Sequence, residues 1–273
     1  MIFITLLVKV KGMNLNLFGK SALVCGSTQG IGKAVAEELA ELGANVTLLA
    51  RNQSKLEEVL KGLNTQEGQV HQCLVADFSK PSDLKSIIES HVKTNTYHIL
   101  INNTGGPPAG QAVEADIDAF RSAFEQHLVC NQILVQALVD GMKHQAYGRI
   151  INIISTSVKL PIPGLGVSNT IRGAVANWSK TLAGELGRFG ITVNNVLPGA
   201  TSTQRLSSII ENKANKLGKS IEEVEEEVKQ EIPARRFADA SEVAAAVAFL
   251  ATPAAGYING INVPVDGGRT GCL

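Results

Sequence analysis

Between residues 21 and 266 the chain alternates short, apolar, β-branched runs with longer segments of helical period. The runs are SALVC (21–25), NVTLLA (45–50), QVHQCLVAD (69–77), HILINN (98–103), GRIINIIS (148–155), ITVNNVLPG (191–199) and INVPVD (261–266). After the first, Ile31, Val35, Leu39 and Leu42 recur at the spacing that puts them on one helix face, and Gly43 closes the segment. Further helices are expected at 80–95, where Pro81 suits a first turn, at 116–144 and at 240–251. Strands this apolar bury both faces, and connections this long permit parallel pairing. The pattern predicts an α/β, doubly wound fold: a parallel sheet of about seven strands, covered by helices on both faces through right-handed crossovers.

A length of 273 residues suits one large domain, and no repeat, low-complexity tract or linker divides it. That domain is taken as 13–273, with 1–12 as an N-terminal extension. The apolar run 2–8 is too short to cross a bilayer, and no small-residue cleavage site follows it. It is either a segment of little consequence or an added edge strand or hydrophobic contact. With 25 basic and 25 acidic side chains, the chain has no net field to attract nucleic acid or an anionic membrane. Cys25, Cys73, Cys130 and Cys272 form neither a CxxC pair nor a metal-like cluster, which suits a reducing, cytoplasmic setting and gives no metal site.

Doubly wound sheets bind ligands beyond the carboxyl ends of their strands. Directly after the first run stands GSTQGIG (26–32). Gly26, Gly30 and Gly32 allow a tight turn and close helix packing, and the backbone at Ser27 and Ile31 can then approach a pyrophosphate at the helix N-terminus. The spacing is GxxxGxG rather than GxGxxG, but the physics is shared, so a dinucleotide site in a Rossmann fold is expected. An NAD site would place a carboxylate at the end of the second run; here stand Leu49, Ala50, Arg51 and Asn52. Arg51 can fork onto a 2′-phosphate, with Lys55 one turn on, so NADP(H) is favoured over NAD(H). Its bland alternative is a solvated residue at a helix start.

At this point the chain resembles the short-chain dehydrogenase/reductase family, particularly its 3-oxoacyl-[acyl-carrier-protein] reductase-like members. The resemblance runs from about residue 17 to 268. CGSTQGIG is similar to the family's TGxxxGIG, with Cys25 in place of threonine. VADFS resembles the segment whose aspartate, Asp77, meets the adenine edge, and NNTG (102–105), with Asn103 and Gly105, resembles the NNAG motif that braces the sheet beside the adenosine. VLPGATST (196–203) resembles the motif whose Pro198, Gly199 and Thr203 hold the nicotinamide end. PVDGG (264–268) resembles the tail that packs into the family's tetramer, so a homo-oligomer, tetramer or dimer, is implied.

The resemblance also implies a catalytic set of asparagine, serine, tyrosine and lysine, the last two as YxxxK. Ser155 retains the serine, Ser168 stands where the tyrosine belongs, and Arg172 takes the lysine position. Counting back along the long helix, the asparagine position falls on His127. A serine hydroxyl is shorter than a phenol and a far poorer acid, and arginine, always protonated, cannot relay a proton. Arg172 can still hold ribose hydroxyls. His127, and secondarily Lys159 on the loop after Ser155, are the candidate proton donors; the alternative for His127 is a satisfied helix residue.

An insertion occupies about 203–237, where relatives build a substrate lid. In it Ser220 with Glu223 makes a capping box, Ile221, Val224, Val228 and Ile232 make an apolar stripe, and 222–227 is an acidic, solvated face. Arg235 and Arg236 either meet an anionic ligand or lie on the surface. Three functions follow: an NADP(H)-dependent oxidoreductase acting on a carbonyl or alcohol, 3-oxoacyl-like among the possibilities; a dinucleotide-binding pseudoenzyme serving as sensor or partner subunit; or a non-redox enzyme on the same scaffold. The retained Ser155 and the lid favour the first.

Overall fold

The computed structural model describes residues 12–272, so the extension 1–12, apart from Gly12, lies outside the described residues. Seven strands form one sheet: β1 (Ser21–Cys25), β2 (Asn45–Ala50), β3 (Gln72–Val75), β4 (Ile99–Asn102), β5 (Gly148–Ile153), β6 (Ile191–Pro198) and β7 (Asn262–Val265). Their order is β3-β2-β1-β4-β5-β6-β7 and every pairing is parallel, as the alternating pattern requires. The order reverses between β1 and β4, which opens a crevice at their carboxyl ends.

Successive side chains of a strand point to opposite faces, and each face carries its own core. Val24, Leu48 and Ile101 pack on one side with Val35 and Leu39 of α1 (Gly30–Glu41) and Val243 and Val247 of α9 (Ala240–Ala251). Leu23, Leu49 and Leu100 face the other, against Leu84 and Ile88 of α3 (Pro81–His91), Leu134 and Leu138 of α5 (Cys130–His144) and Leu182 of α6 (Gly166–Leu186). Leu23 and Leu100 are fully buried, so truncating either to alanine costs about 2–5 kcal/mol.

Three elements are bounded differently from their sequence pattern. β3 is shorter than 69–77 because side chains take over its approach to β2: His71 Nδ1 accepts from Val46 N–H at 3.0 Å, and Asn45 Oδ1 from Val70 N–H at 2.7 Å. α3 stops at His91, whose carbonyl accepts from the Asn95 side chain at 2.9 Å. The segment expected as one helix over 116–144 is α4 (Ile117–Phe124) running through a π-helical stretch, Glu125–Val129, into α5. α2 (Gln53–Lys61) is capped by the Asn52 side chain, which accepts from Lys55 N–H at 3.0 Å.

Residues 203–237 hold two helices, α7 (Gln204–Leu217) and α8 (Ile221–Gln230). The Ser220–Glu223 capping box forms in both directions, at 3.1 and 2.9 Å. Val224 packs against Ile210 and Ala214 of α7. Of the expected stripe, Val224 and Ile232 are buried and Val228 half-buried, whereas Ile221 is exposed at the start of its helix. The acidic face is solvated, with Glu227 paired to Lys213 and Lys219.

Candidate active site

The turn after β1 is shaped by what a side chain would hit. A Cβ on Gly26 would lie 2.7 Å from the Asn103 carbonyl oxygen, and one on Gly32 2.2 Å from that of Gly26. Asn103 holds the turn from the end of β4, its Nδ2 donating to the carbonyls of Cys25 (3.3 Å) and Gly26 (3.2 Å). Gly26 and Gly30 both adopt positive φ, at 60° and 53°. α1 then begins with no side-chain cap and no acid in its first turn, so its N–H groups and the positive end of its dipole face outward. Ser27 Oγ is buried in this turn with no hydrogen-bond partner among the described residues.

The turn opens on a cleft of about 640 Å³ at the carboxyl ends of β1, β4, β5 and β6. Gly26, Gly30 and Ile31 line it from the first turn, and Asn103 and Gly105 from the segment after β4. Pro198, Gly199 and Thr203 close the side beneath α7, where Thr203 Oγ1 accepts from Leu206 N–H at 3.4 Å as the helix cap. Ser155, Ser168 and Arg172 stand on the same wall. The charge-bearing and nucleotide-type candidates at these strand ends therefore meet in one place, as the switch-point argument expects.

Each wall residue is held by its own element. Ser155 ends the β5 segment, and its Oγ accepts from Ser157 N–H at 3.1 Å while its own proton remains free to donate. Ser168 and Arg172 lie one turn apart on α6, both almost fully buried. Arg172 donates to the Ile153 carbonyl at 3.1 Å. Burial, and the charge of Arg205, push its pKa down to about 10, so it remains a cation at neutral pH.

Other candidates lie off this wall. Ser27 and Gly32 are behind the turn, packed rather than exposed to the cleft. Arg51 is exposed beyond the end of β2, with its charge felt by Asp77. Partial burial works to raise the Asp77 pKa, but hydrogen bonds from Ser79 outweigh it and hold the carboxyl below its usual range. Lys159 is not on the cleft wall.

His127 is set back from the cleft. It lies in the π-helical stretch, buried behind Thr104, with which its Nδ1 shares a hydrogen bond at 2.5 Å. Thr104 faces the cleft; His127 does not. Burial first, and the charge of Arg172 second, push its pKa down to about 3. At neutral pH it is an uncharged imidazole, a much weaker acid than the imidazolium a proton donor requires.

The lid arginines are also redistributed. Arg236 forms a bidentate pair with Glu242, both bonds at 2.6 Å, and Arg235 bonds Gln230 Oε1 at 2.5 Å. The arginine that reaches the cleft is Arg205, in the first turn of α7, donating to the Pro107 carbonyl at 2.5 Å. Its sequence signal was only an arginine two positions beyond Thr203, indistinguishable from a solvated helix residue.

Residues 26–270 match the family model described as enoyl-(acyl carrier protein) reductase. The chain belongs to the short-chain dehydrogenase/reductase family. It is 33% identical over 253 residues to the 3-oxoacyl-[acyl-carrier-protein] reductase FabG of Haemophilus influenzae, covering 92% of this chain and 98% of that protein. It is 30% identical over 251 residues to the NADPH-dependent reductase BacG of Bacillus subtilis, covering 91% and 97%. Among solved structures, L-sorbose reductase from Gluconobacter frateurii, complexed with NADPH and L-sorbose, superimposes with a TM-score of 0.89 at 29% identity over 96% of this chain and all of that one. The seven-stranded parallel sheet is that of the family, and the cleft wall at Ser168 and Arg172 carries no phenol and no lysine. No helix among the described residues is long and apolar enough to cross a membrane, and no cluster of metal-binding side chains is present among them.

Proposed function

We propose that the protein is an NADP(H)-dependent oxidoreductase that interconverts a carbonyl and an alcohol. The observation that carries this reading is the cleft itself. An uncapped helix N-terminus and a glycine turn open onto a wall with no acidic side chain, and Arg51 stands unpaired by any acid within salt-bridge distance, among the described residues, at the end of β2. The residues fit the nucleotide. The turn and α1 would hold the pyrophosphate, Arg51 a 2′-phosphate, Asp77 the adenine edge, and Arg172 the nicotinamide ribose.

Bound there, NADPH supplies a hydride to the carbonyl carbon. Ser155, whose proton is free, and Ser168 donate hydrogen bonds to the carbonyl oxygen. The Arg172 guanidinium, fixed on the Ile153 carbonyl, adds a positive field where negative charge grows. His127 acts as a positioning residue through Thr104, and the proton comes from solvent in the open cleft. The curated relatives include acyl-carrier-protein and small-molecule reductases, which supports a 3-oxoacyl-like substrate as one option within this reading. A homo-oligomer belongs to it too: β7 is a sheet edge, with Ile261 and Tyr257 exposed beside it.

A second reading, a nucleotide-binding pseudoenzyme, is favoured by one observation: no side chain on the cleft wall is an ordinary proton donor. Mixing the protein with NADPH and a panel of 3-oxoacyl thioesters, ketones and quinones separates the two. Loss of absorbance at 340 nm is expected; tight NADPH uptake without turnover on any member would favour the second reading, and no uptake would overturn both.

A further inference from the structure

Resting on the oxidoreductase reading above, we propose that Arg205 and Arg172 form a two-guanidinium site for the substrate, so that the carbonyl compound accepted here carries a carboxylate.

The charge on the cleft wall is the first argument. Arg172 and Arg205 are the wall's only charged side chains; Asp, Glu, Lys and His are absent from it. Elsewhere Arg236 pairs with Glu242 and Arg269 with Glu231, while buried Arg149 spends its donors on three backbone carbonyls. Neither cleft arginine has an acidic partner among the described residues, and each has a single carbonyl acceptor, Ile153 for Arg172 and Pro107 for Arg205. A guanidinium carries five N–H donors, so each arginine has donors beyond its carbonyl bond, and Arg172 can serve a substrate carboxylate as well as a ribose hydroxyl. Arg172 is 8% exposed whereas Arg205 lies at the exposed side of the cleft, and the charge of Arg205 adds to the cost of the buried Arg172 cation, a cost that an anion between them would offset.

On the oxidoreductase reading the nucleotide's own phosphates would have other partners, at the uncapped α1 N-terminus and at the exposed Arg51. Arg205 instead reaches across from α7 to the segment after β4, where Gly106 makes room for it: a Cβ on Gly106 would lie 3.2 Å from its guanidinium. Ser168, one turn before Arg172, leaves beside that guanidinium the space a tyrosine ring would fill. A planar carboxylate can enter that space and take parallel hydrogen bonds from the guanidinium fork.

The probes are acetoacetate and methyl acetoacetate, which share the ketone and differ in the carboxylate. Calorimetric titration into the protein saturated with NADP+ prevents turnover. Acetoacetate is expected to bind about 10–100-fold more tightly than the ester, the range of charge-assisted hydrogen bonds. Arg205→Gln should collapse that ratio towards unity, and Gly106→Ala, which displaces the guanidinium without removing it, should lower it in the same direction. Equal binding of acid and ester by the native protein would overturn the proposal. So would an Arg205→Gln protein that loses NADP+ affinity as steeply as acetoacetate affinity, which would assign the guanidinium to the nucleotide. Stronger binding of acetonylphosphonate than of acetoacetate would assign the site to a phosphate-bearing substrate and refute the carboxylate. The same titrations without nucleotide read the arginine pair alone, so a protein that takes up no NADP+ yet prefers acetoacetate refutes the oxidoreductase reading and not the anion site.

Discussion

Replacing His127 by asparagine tests the electrostatics of the site without assuming any substrate. The imidazole is 2% exposed and its folded pKa lies at about 3, against an ordinary value of 6.5. Folding therefore favours the neutral ring. Below pH 6.5 the unfolded chain binds a proton that the folded chain refuses, and stability falls as pH drops, until about pH 3 is reached. The slope approaches about 1.4 kcal/mol per pH unit. Between pH 7 and pH 5 the loss from this one group integrates to about 2 kcal/mol, a substantial part of a typical stability of about 5–15 kcal/mol. Any cost of losing the ring's packing or its bond to Thr104 is the same at both pH values and cancels in the comparison. Urea unfolding of the native protein and of His127→Asn at pH 7 and pH 5 reads the difference directly: the variant should lose about 2 kcal/mol less on acidification. Equal losses in the two proteins would refute the reasoning. They would mean that the folded ring accepts a proton near its ordinary value, and His127 would return as a candidate general acid.

Gly32→Ala forces a Cβ to 2.2 Å from the Gly26 carbonyl, so the turn must open; NADPH affinity should drop at least about tenfold by fluorescence titration, with a lowered Tm. Arg51→Ala should weaken NADPH by about 10–100-fold and leave NADH nearly unchanged, because the side chain can form charged bonds only to the 2′-phosphate. Asn152→Ala removes three buried hydrogen bonds and leaves the Asn102 amide nitrogen without its partner, while Ser179 and Asn195 keep their bond to each other, and should cost about 2–4 kcal/mol in urea unfolding. Turnover of an uncharged ketone should be flat from about pH 6 to pH 9, since no wall side chain titrates there; the Ser168→Tyr, Arg172→Lys double variant should acquire a pH-dependent limb.

The sheet was legible because its strands are too apolar to leave uncovered, and the glycine turn because only glycine tolerates the approach of Asn103. The capping box was legible because both partners sit within one turn of chain. What stayed hidden depends on distant segments. Asn102, Asn152, Asn195 and Asn262 interrupt four apolar strands for no reason visible locally. The parallel register sets them side by side, and they bond in series at 2.8, 3.0 and 2.8 Å across the sheet. Arg205 was hidden for the same reason. Its acceptor lies 98 residues earlier, and nothing near it in sequence separates a cleft arginine from a solvated one. His127 was legible as a candidate with two readings, proton donor or satisfied helix residue, and the sequence alone could not choose between them, because desolvation is a property of the packing around it and not of the residue type.

On the proposed reading, with Ser168 and Arg172 in place of the tyrosine and lysine that the family resemblance implies, what the wall can do changes in a definite direction. A tyrosine–lysine pair combines an acid with a cation; the serine–arginine pair keeps the cation and discards the acid. General acid help is worth about 10²–10⁴-fold, so an active site without it must recover that factor or run slowly. Fixed positive charge can recover part of it, because a guanidinium preorganised beside a developing alkoxide stabilises the oxyanion at no reorganisation cost. Arg172, held by the Ile153 carbonyl on the cleft wall, is the fixed charge that the proposed reading places there. On the proposed reading, an oxyanion stabilised in this way would take its proton from water in the open cleft. Substrates whose alkoxide is already weakly basic, such as those with electron-withdrawing groups beside the carbonyl, lose least by the absence of the phenol and should therefore be turned over best.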